Sequence, residues 1–475
     1  MTASAPTPAA SADAVAAAKA ALAGLDIDDH PATVKQKSRD FFWYSPVLKA
    51  RLEHVSADFV VAPRSEAEVI EVMRVAHAHG VPVTTRGAGT GNYGQAMPLS
   101  GGIVLHMKHM AAIKALAPGR VRAEAGIILA DLDRQARADT GQELRIHPST
   151  HATASLGGFV AGGSGGVGSV RWGGLRATGN IIALRLVTCE AEPRVIDLEG
   201  DEIQKANHAY GVNGVITEVE MPLAPAYDWV DVIVGFDDVV EATRYGMAMA
   251  SEDAILLKEM ATVADPVPSL YFLRHKRFLP EGRSVAIAMV APQSLPGFLT
   301  VTARWPGAEV LYRSDRNWEK GIPPAYELGW NHTTLRALRV DPAITYLQTA
   351  YQGPDPLASM ARMAAMFGDE VPIHTEIVRF DGGLQLSGLP LLRFTTEDRL
   401  DEIVRLHEEN DCPIFNPHRY TLEEGGMKAT DPVQLAFKRE CDPKGLLNPG
   451  KMIAWDDPDW DFAAQRFYTY PGLAR

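Results

Sequence analysis

In the first part of the chain, short apolar runs typical of strands flank a stretch with apolar residues at helical spacing. These patterns predict the opening elements. The apolar run 59–61 indicates a short buried strand. Residues 65–68, Ser-Glu-Ala-Glu, fit a capping box, and the apolar positions of 69–76 recur at helical spacing until Gly80. A second apolar run, 81–85, follows directly. Strand, capped helix and strand in this order predict a βαβ-like opening.

The same patterns continue as far as residue 225. Residues 121–125 alternate between apolar and polar, as a half-buried strand does, and a helical pattern from about 129 to 139 ends at Gly141. The apolar run 181–187 predicts another strand, and 211–217 is a glycine turn that leads into one.

A different pattern begins after residue 225. Strand patterns such as 230–234, 285–290 and 373–380 alternate with the helical patterns 239–250 and 396–409. From 414 onwards the elements become short and irregular. We therefore predict an α+β protein in four parts: residues 1–58, 59–225, 226–413 and 414–475.

Two glycine-rich segments stand out within the second part. Residues 86–94, Arg-Gly-Ala-Gly-Thr-Gly-Asn-Tyr-Gly, follow the strand at 81–85, and residues 147–168 are also rich in glycine. Such sequences do not suit an ordinary helix or strand, and the apolar flanks do not suit a flexible linker. Glycine lets backbone N–H groups approach a ligand closely, and phosphate is the usual occupant of such a nest.

The first segment matches a dinucleotide fingerprint, Gly89-x-Gly91-x-x-Gly94, but its context does not. The helix that should follow is interrupted by Pro98 and Gly101, and no Asp or Glu occurs from 95 to 123 to bind a ribose. A P-loop is excluded because no Gly-Lys-Ser/Thr follows. Two separated glycine-rich segments suit instead a long diphosphate ligand, and FAD is such a ligand.

In this order the motifs resemble the FAD-linked oxidases with a PCMH-type (vanillyl-alcohol-oxidase-like) FAD-binding domain, nearest the D-lactate/glycolate dehydrogenase branch. They are Pro63, 86–91, 101–105, 124–126, Pro148-Ser149, Gly157-Gly158, Gly165-Gly166, 171–173, 211–217 and 448–451. The resemblance implies a two-subdomain FAD-binding domain at 59–225 and an α+β cap (substrate) domain with an antiparallel sheet at 226–413. The N-terminal segment would pack on the flavin domain, and the C-terminal segment would return to it.

The resemblance also implies the residues that bind FAD: Arg86, Gly87, Ala88, Gly89, Thr90, Gly91, Asn92, Pro148, Ser149, Ser155, Gly157, Gly158, Gly165, Val215, Ile216 and Asn448. Family members with covalent flavin place His beside the first segment or Cys in the second. This chain has neither there, which favours non-covalent FAD; a flavin linked to a His of the cap is the alternative. Phe159 departs from the Asn that family members often have after the second glycine pair.

The first catalytic candidate is His418, in Asn416-Pro417-His418-Arg419-Tyr420. The hydroxy-acid branch has a Gly-Glu-His-Gly segment at about this distance before its Asn-Pro-Gly-Lys. His418 would take the place of that histidine, although its neighbours differ. A loop histidine without a catalytic role is the alternative.

The second candidates are His374 and Glu376, which a strand would present on one face. Facing a substrate cavity they would serve as base and orienter, but a polar solvent face is the commoner explanation of such a pair. Two ligands do not make a metal site, and the metal-binding segment of related dehydrogenases is absent, so we predict no metal.

The third candidates are His332 and Arg336, which form a helical stripe with Arg339 and would suit a carboxylate. Amphipathic surface helices carry such stripes routinely. Trp305, Trp318, Trp330 and Tyr326 lie in the same part of the chain. Core packing is their default explanation, but in the pocket they would favour a bulky or aromatic substrate.

The composition limits the classes of binding partner and the cellular compartment that we expect for this protein. A net charge of −13 and the absence of a basic run argue against nucleic acid, and no apolar stretch is long enough to span a membrane. Cys189, Cys412 and Cys441 fit buried thiols in a reducing, cytoplasmic compartment. The oligomeric state, a homodimer included, stays open.

The sequence therefore predicts an FAD-dependent oxidoreductase that oxidises an alcohol or D-2-hydroxy acid by hydride transfer to flavin N5. The electron acceptor is left open among oxygen, a quinone and an electron-transfer protein. A phenol oxidase of the vanillyl-alcohol type and a flavin-binding protein without turnover are the alternatives.

Overall fold

The computed structural model describes residues 9–425 and 430–464. Residues 1–8 of the predicted N-terminal segment lie outside the described residues, as do residues 426–429 and 465–475 of the predicted C-terminal segment. The described chain forms three larger sheets and one two-stranded sheet, each packed against helices.

The first sheet confirms the predicted βαβ opening. Its strands lie in the order Ile27–Asp28, Phe59–Val61, Ile103–His106, Val83–Arg86, and the last three are parallel. The connecting helix Glu66–His79 begins where Ser65 accepts a hydrogen bond from the Glu68 amide (3.3 Å), and it ends at Gly80 with φ of 65°. The strand Ile103–His106 lies between the two strands that the helix joins.

The second sheet is antiparallel and contains the other strands predicted before residue 225. Its path runs Ile113–Ala117, Arg120–Glu124, Val215–Pro225, Ala183–Val187, Val195–Glu199, with Gln142–Leu144 paired to Val215–Pro225. The helix Leu129–Thr140 packs against this sheet.

The expectation that the second glycine-rich segment avoids regular structure is wrong for one part of it. Leu156–Gly162 forms a short α-helix. Gly157 makes it possible, because a Cβ there would lie 2.6 Å from the Cβ of Ala125 on the neighbouring sheet. Here close packing against the sheet outweighs the low helix propensity of glycine.

The third sheet lies in the predicted cap and is antiparallel throughout, which confirms the predicted fold class. Its order is Glu309–Arg313, Val230–Phe236, Ser284–Val290, Leu257–Val263, His374–Phe380, Gly383–Gly388, Thr349–Tyr351. The predicted hairpin at 381–383 joins two of these strands, with Phe380 opposite Gly383. Ile344–Tyr346 and Leu391–Arg393 form the two-stranded sheet.

Helices cover these sheets and fill the spaces between them. Further α-helices of seven or more residues are Ala12–Ala21, Pro31–Lys37, Pro46–Leu52, Val239–Ser251, Leu295–Arg304, Asn331–Leu338, Pro356–Phe367, Glu397–Glu408 and Pro432–Cys441. The three cysteines are free and buried, as predicted.

The C-terminal segment adds to the first sheet. The Val83 amide donates to the carbonyl of Leu446, and the Asn448 amide donates to the carbonyl of Val83, both at 2.8 Å. Lys451 is fully buried and donates to the carbonyl of Gly94 at 2.6 Å. Residues after 440 therefore support the strand and the glycine-rich loop that follows it.

Candidate functional site

One long cavity lies between the two glycine-rich segments and reaches the predicted cap. The first segment contributes residues 87–93, and the second contributes residues from Pro148 to Gly166. Gly214 and Ile216 line one part of the cavity, while residues 330–332 line the part toward the cap. The chain thus brings together, around one space, segments that are far apart in sequence.

The first glycine-rich segment offers unused backbone donors to this cavity. Among the described residues, the amides of Gly89, Thr90 and Gly91 donate no hydrogen bond. Consecutive free N–H groups form a nest that suits phosphate oxygens. The donor set therefore fits the pyrophosphate of a dinucleotide.

The two segments touch each other through Ser155. Its Oγ accepts a hydrogen bond from the Ala88 amide at 3.2 Å, and a Cβ on Gly87 would lie only 1.9 Å from the same oxygen. In the second segment, a Cβ on Gly166 would lie 2.1 Å from the carbonyl oxygen of His147. Glycine is required at both positions, because the Ser155 side chain occupies the space of a Cβ on Gly87 and the His147 backbone occupies that of a Cβ on Gly166.

Most of the predicted cofactor-binding residues line the cavity. They are Gly87, Ala88, Gly89, Thr90, Gly91, Asn92, Pro148, Ser149, Ser155, Gly157, Gly158, Gly165 and Ile216. Arg86, Val215 and Asn448 are not part of this lining.

Arg86 and Asn448 instead support the first glycine-rich loop from outside the cavity lining. The Arg86 guanidinium donates to the carbonyl oxygens of Lys37 (3.1 Å) and Ala88 (3.3 Å), and the Asn448 side-chain amide donates to those of Gln95 and Tyr210, both at 2.7 Å. Both residues act on the loop through the backbone.

The cap side of the cavity carries polar side chains. Trp330, Asn331 and His332 are consecutive lining residues, and each has a buried polar atom without a hydrogen-bond partner among the described residues: Trp330 Nε1, Asn331 Oδ1 and His332 Nδ1. Unpaired polar atoms at a cavity wall are costly unless a ligand or water completes them. This wall is therefore suited to a polar ligand.

The charges around His332 favour its neutral form. Burial, together with the positive charges of Arg336 and Arg339, lowers the pKa of His332 to about 4. Arg336 does not line the cavity and forms a 3.0 Å ion pair with Glu327, while its Nε has no partner among the described residues. A neutral His332 has one ring nitrogen that can accept a proton.

His418 lies in a different environment from His332. It is 2% exposed, its Nδ1 lies 2.7 Å from Ser45 Oγ, and its Nε2 lies 3.1 Å from the carbonyl oxygen of Tyr346. Burial lowers its pKa to about 3. Both ring nitrogens are therefore engaged by the N-terminal and cap segments, and the ring is not part of the cavity lining.

His374 and Glu376 do not lie on a polar solvent face, and that explanation of the pair is wrong. They are 0% and 1% exposed, and their side chains meet at 3.0 Å. Their strand lies inside the seven-stranded sheet with both edges paired, and its first five residues, which alternate between the two faces, are all buried. The pair lies behind the cavity wall, since Glu376 accepts a hydrogen bond from the amide of Trp330.

Sequence patterns did not reveal several other lining residues, among them Asp40, Tyr44 and Tyr210. Burial raises the pKa of the Asp40 carboxyl to about 6. Tyr44 belongs to the aromatic run Phe-Phe-Trp-Tyr at 41–44, whose spacing carries no ligand signal. Of the grouped aromatic residues considered above, Trp330 lines the cavity, whereas Trp305 packs on Tyr245 (5.5 Å) and Trp318 is 58% exposed.

Residues 9–425 and 430–464 contain neither a metal-ligand cluster nor a membrane-spanning helix. Within these ranges, no cluster of three or more His, Cys, Asp or Glu side chains is arranged to hold a metal ion. No helix within them has the length and apolar character needed to cross a membrane.

Comparison with known proteins supports the cofactor. Residues 57–197 match the family described as FAD binding domain. The chain is 30% identical to a D-lactate dehydrogenase of Archaeoglobus fulgidus over 211 residues, which cover 41% of this chain and 46% of that enzyme. It is 26% identical to the glycolate oxidase subunit GlcD of Bacillus subtilis over 437 residues, which cover 84% of this chain and 89% of that subunit.

The first of these alignments spans less than half of the relative's length, whereas the fold match is nearly complete. The structure of p-cresol methylhydroxylase with substrate bound superimposes with a TM-score of 0.70 at 12% identity, covering 96% of this chain and 100% of that chain. The motif-based resemblance is thus confirmed in the domain, the cofactor and the fold. The chain contains an FAD binding domain in residues 57–197, uses FAD as its cofactor and has the fold of the PCMH-type flavoenzymes.

Proposed function

We propose that this protein is an FAD-dependent oxidoreductase that removes two electrons from a D-2-hydroxy acid or a related alcohol. The observation that carries the proposal is the composition of one cavity, in which free amides of the first glycine-rich loop lie on one side and His332 on the other. The named activities of the D-lactate dehydrogenase and GlcD relatives support the same substrate class.

The FAD would be held by the nest at Gly89–Gly91 and by the backbone of the second segment. When bound, FAD supplies a two-electron acceptor for hydride. Within residues 87–93 and 148–166 the cavity lining contains no Cys or His. We therefore propose non-covalent binding.

His332 is the group that we propose accepts the substrate hydroxyl proton, at Nδ1. It lines the cavity, this nitrogen has no partner among the described residues, and the ring is neutral near neutral pH. A pKa near 4 makes a weak base. A bound carboxylate would offset the charges of Arg336 and Arg339 and so bring the His332 pKa closer to the working pH.

The charge near His332 also favours an anionic substrate. Arg336 and Arg339 both place positive charge near His332, and Glu327 forms an ion pair with Arg336. A carboxylate drawn toward this end of the cavity would place its neighbouring hydroxyl near His332. We propose a 2-hydroxy acid over a neutral alcohol on this basis.

A phenol is the second candidate substrate, because the aromatic residues Trp330 and Tyr44 line the same cavity. An anaerobic reduction screen separates the candidates. The FAD-loaded protein is mixed with D-2-hydroxy acids, L-2-hydroxy acids, 4-alkylphenols and sugars, and the visible flavin absorbance is followed. We expect bleaching by D-2-hydroxy acids. Bleaching by alkylphenols alone would favour the second candidate, and no bleaching by any compound would indicate a flavin-binding protein without turnover.

A further inference from the structure

Behind the cap-side wall lies a buried cluster of titratable side chains that the proposed chemistry does not use. Glu259, His374 and Glu376 come from two adjacent strands of the seven-stranded sheet, and each is at most 2% exposed. Glu376 Oε1 lies 3.0 Å from His374 Nε2. Burying carboxylates costs several kcal/mol per ion, on the order of the stability of a domain. A specific structural role would offset this cost.

That role is indicated by the backbone of Trp330. Its φ of 51° and ψ of −146° lie in a region that a bulky residue adopts only when the surrounding structure holds it there. Its amide donates a 2.6 Å hydrogen bond to Glu376 Oε1. A hydrogen bond to a carboxylate is stronger than one between neutral groups and stabilises this unusual conformation.

The conformation of Trp330 determines where its indole lies. The ring atom Cη2 is 3.2 Å from the position that a Cβ on Gly165 would occupy, so the indole tip lies against the second glycine-rich segment. Both residues line the cavity. The Glu376 contact is therefore one hydrogen bond away from the space that holds the cofactor.

Glu259 lies on the other side of Glu376. A Cβ on Gly329 would be 2.7 Å from Glu259 Oε1 and 3.0 Å from Glu376 Oε1, so the two carboxyl groups share one small space. Neither oxygen of Glu259 has a partner among the described residues. Burial, followed by the Glu376 charge, raises the pKa of Glu259 well above its ordinary value. Burial also raises the pKa of Glu376, but the contacts with His374 and the Trp330 amide act to lower it, so Glu376 is the carboxyl group of the two whose partners favour the charged form.

We propose that Glu376, backed by Glu259, is a positioning residue that holds Trp330 in its left-handed backbone conformation and so sets the cap-side wall of the FAD cavity. The proposal is independent of the substrate, because every contact that supports it lies within the protein. Loss of the Glu376 carboxylate should release Trp330 without removing any group from the cavity lining.

The test uses the FAD-loaded full chain and near-ultraviolet circular dichroism. The difference between wild type and W330F isolates the signal of Trp330 among the eight tryptophans. We expect E376A to lose most of that signal, and E376A/W330F to show the same spectrum as W330F. The FAD dissociation constant should rise by a similar factor in E376A, W330F and the double variant. E376Q, which keeps an acceptor oxygen, should retain the signal.

The matched control is E423A, because Glu423 is another carboxylate that accepts backbone hydrogen bonds, from Ile453 (2.9 Å) and Ala454 (3.1 Å), away from Trp330. An equal loss of the Trp330 signal in E423A would overturn the proposal. A Trp330 signal that is retained in E376A would also overturn the proposal. The same holds if the effects of the two single substitutions on the FAD dissociation constant multiply in the double variant.

A second pair of changes covers the case in which E376A does not fold. E259L/E376L removes both carboxyl groups together and leaves no lone buried charge, a replacement that proteins often tolerate. Loss of the Trp330 signal in folded E259L/E376L supports the positioning role, and its retention contradicts it. Neither result depends on turnover, so the outcome stays separate from that of the reduction screen.

Discussion

The two walls of the candidate cavity are built in different ways. The wall formed by the glycine-rich segments presents backbone: the amides of Gly89, Thr90 and Gly91 donate no hydrogen bond within the described part of the chain, and several glycines leave no room for a side chain. The cap-side wall presents the side chains of Trp330, Asn331 and His332. The first wall suits a ligand that is common to many enzymes, and the second can vary with the substrate.

The residues that hold the two walls in place also differ in the chemistry of their contacts. Arg86 and Asn448 hold the glycine-rich loop through carbonyl oxygens, with no ionised acceptor. Behind the cap-side wall, Glu376 holds the Trp330 amide, and Arg336 pairs with Glu327. Among these supporting contacts, the carboxylate acceptors therefore lie on the cap side, where the proposed chemistry needs a tuned proton acceptor.

The largest effect is expected from a change in the backbone-lined wall. Gly89 has φ of 73°, and a Cβ there would lie 2.0 Å from the Arg86 guanidinium. G89D should reduce FAD affinity by more than about tenfold, since left-handed strain of ~1–2 kcal/mol adds to the clash and to repulsion of the pyrophosphate. The ratio of flavin to protein absorbance after purification measures this.

The control is G119D, because Gly119 has a similar φ of 86° but nothing within 4 Å of a built Cβ. It carries the same backbone strain and the same added charge away from the cavity. If G89D and G119D retained FAD equally, the glycine-rich loop would not be the pyrophosphate site.

The next effect tests the side-chain wall. H332Q should lower kcat/KM by roughly 10²–10⁴, the usual contribution of a positioned general base, while FAD occupancy stays unchanged. H407Q is the matched control, since His407 is also buried with a lowered pKa but lies outside the cavity lining. Equal rates in H332Q and wild type, measured by anaerobic flavin reduction, would rule out His332 as the base.

The smallest effect on turnover is expected at His418. Its neutral ring is buried, with a folded-state pKa of about 3 against an ordinary value of 6.5. Between these values the unfolded chain binds a proton at this position and the folded chain does not. The free energy of unfolding therefore falls as the pH is lowered through this window, by up to about 1.4 kcal/mol per pH unit.

H418Q removes this titration, so its free energy of unfolding should fall less steeply toward acid than that of wild type. The rate of flavin reduction should be nearly unchanged. Urea unfolding at several pH values between 4 and 7, followed by tryptophan fluorescence, measures the two slopes. Parallel slopes would contradict the buried neutral state, and a large loss of rate would return His418 to the catalytic candidates.

Local patterns predicted the elements that depend on neighbouring residues. The capped helix Glu66–His79 and the hairpin at 381–383 follow from capping residues, apolar spacing and turn glycines. The prediction of a diphosphate ligand also came from local sequence, because a backbone nest requires only consecutive residues with little side-chain bulk. Local patterns failed for part of the second glycine-rich segment, where Gly157 packs on Ala125 and allows a short helix.

The sequence by itself thus determined that FAD is the cofactor and which glycine-rich loops line the candidate cavity, because glycines act through their own backbone. Only the tertiary structure decided which side chains line that cavity with them. His418 meets Ser45 across 373 positions, and Glu376 meets Trp330 across 46. Such contacts depend on how distant strands and segments pack, and the spacing of residues along the sequence does not predict them. His332 lines the cavity while His374 lies behind it for the same reason.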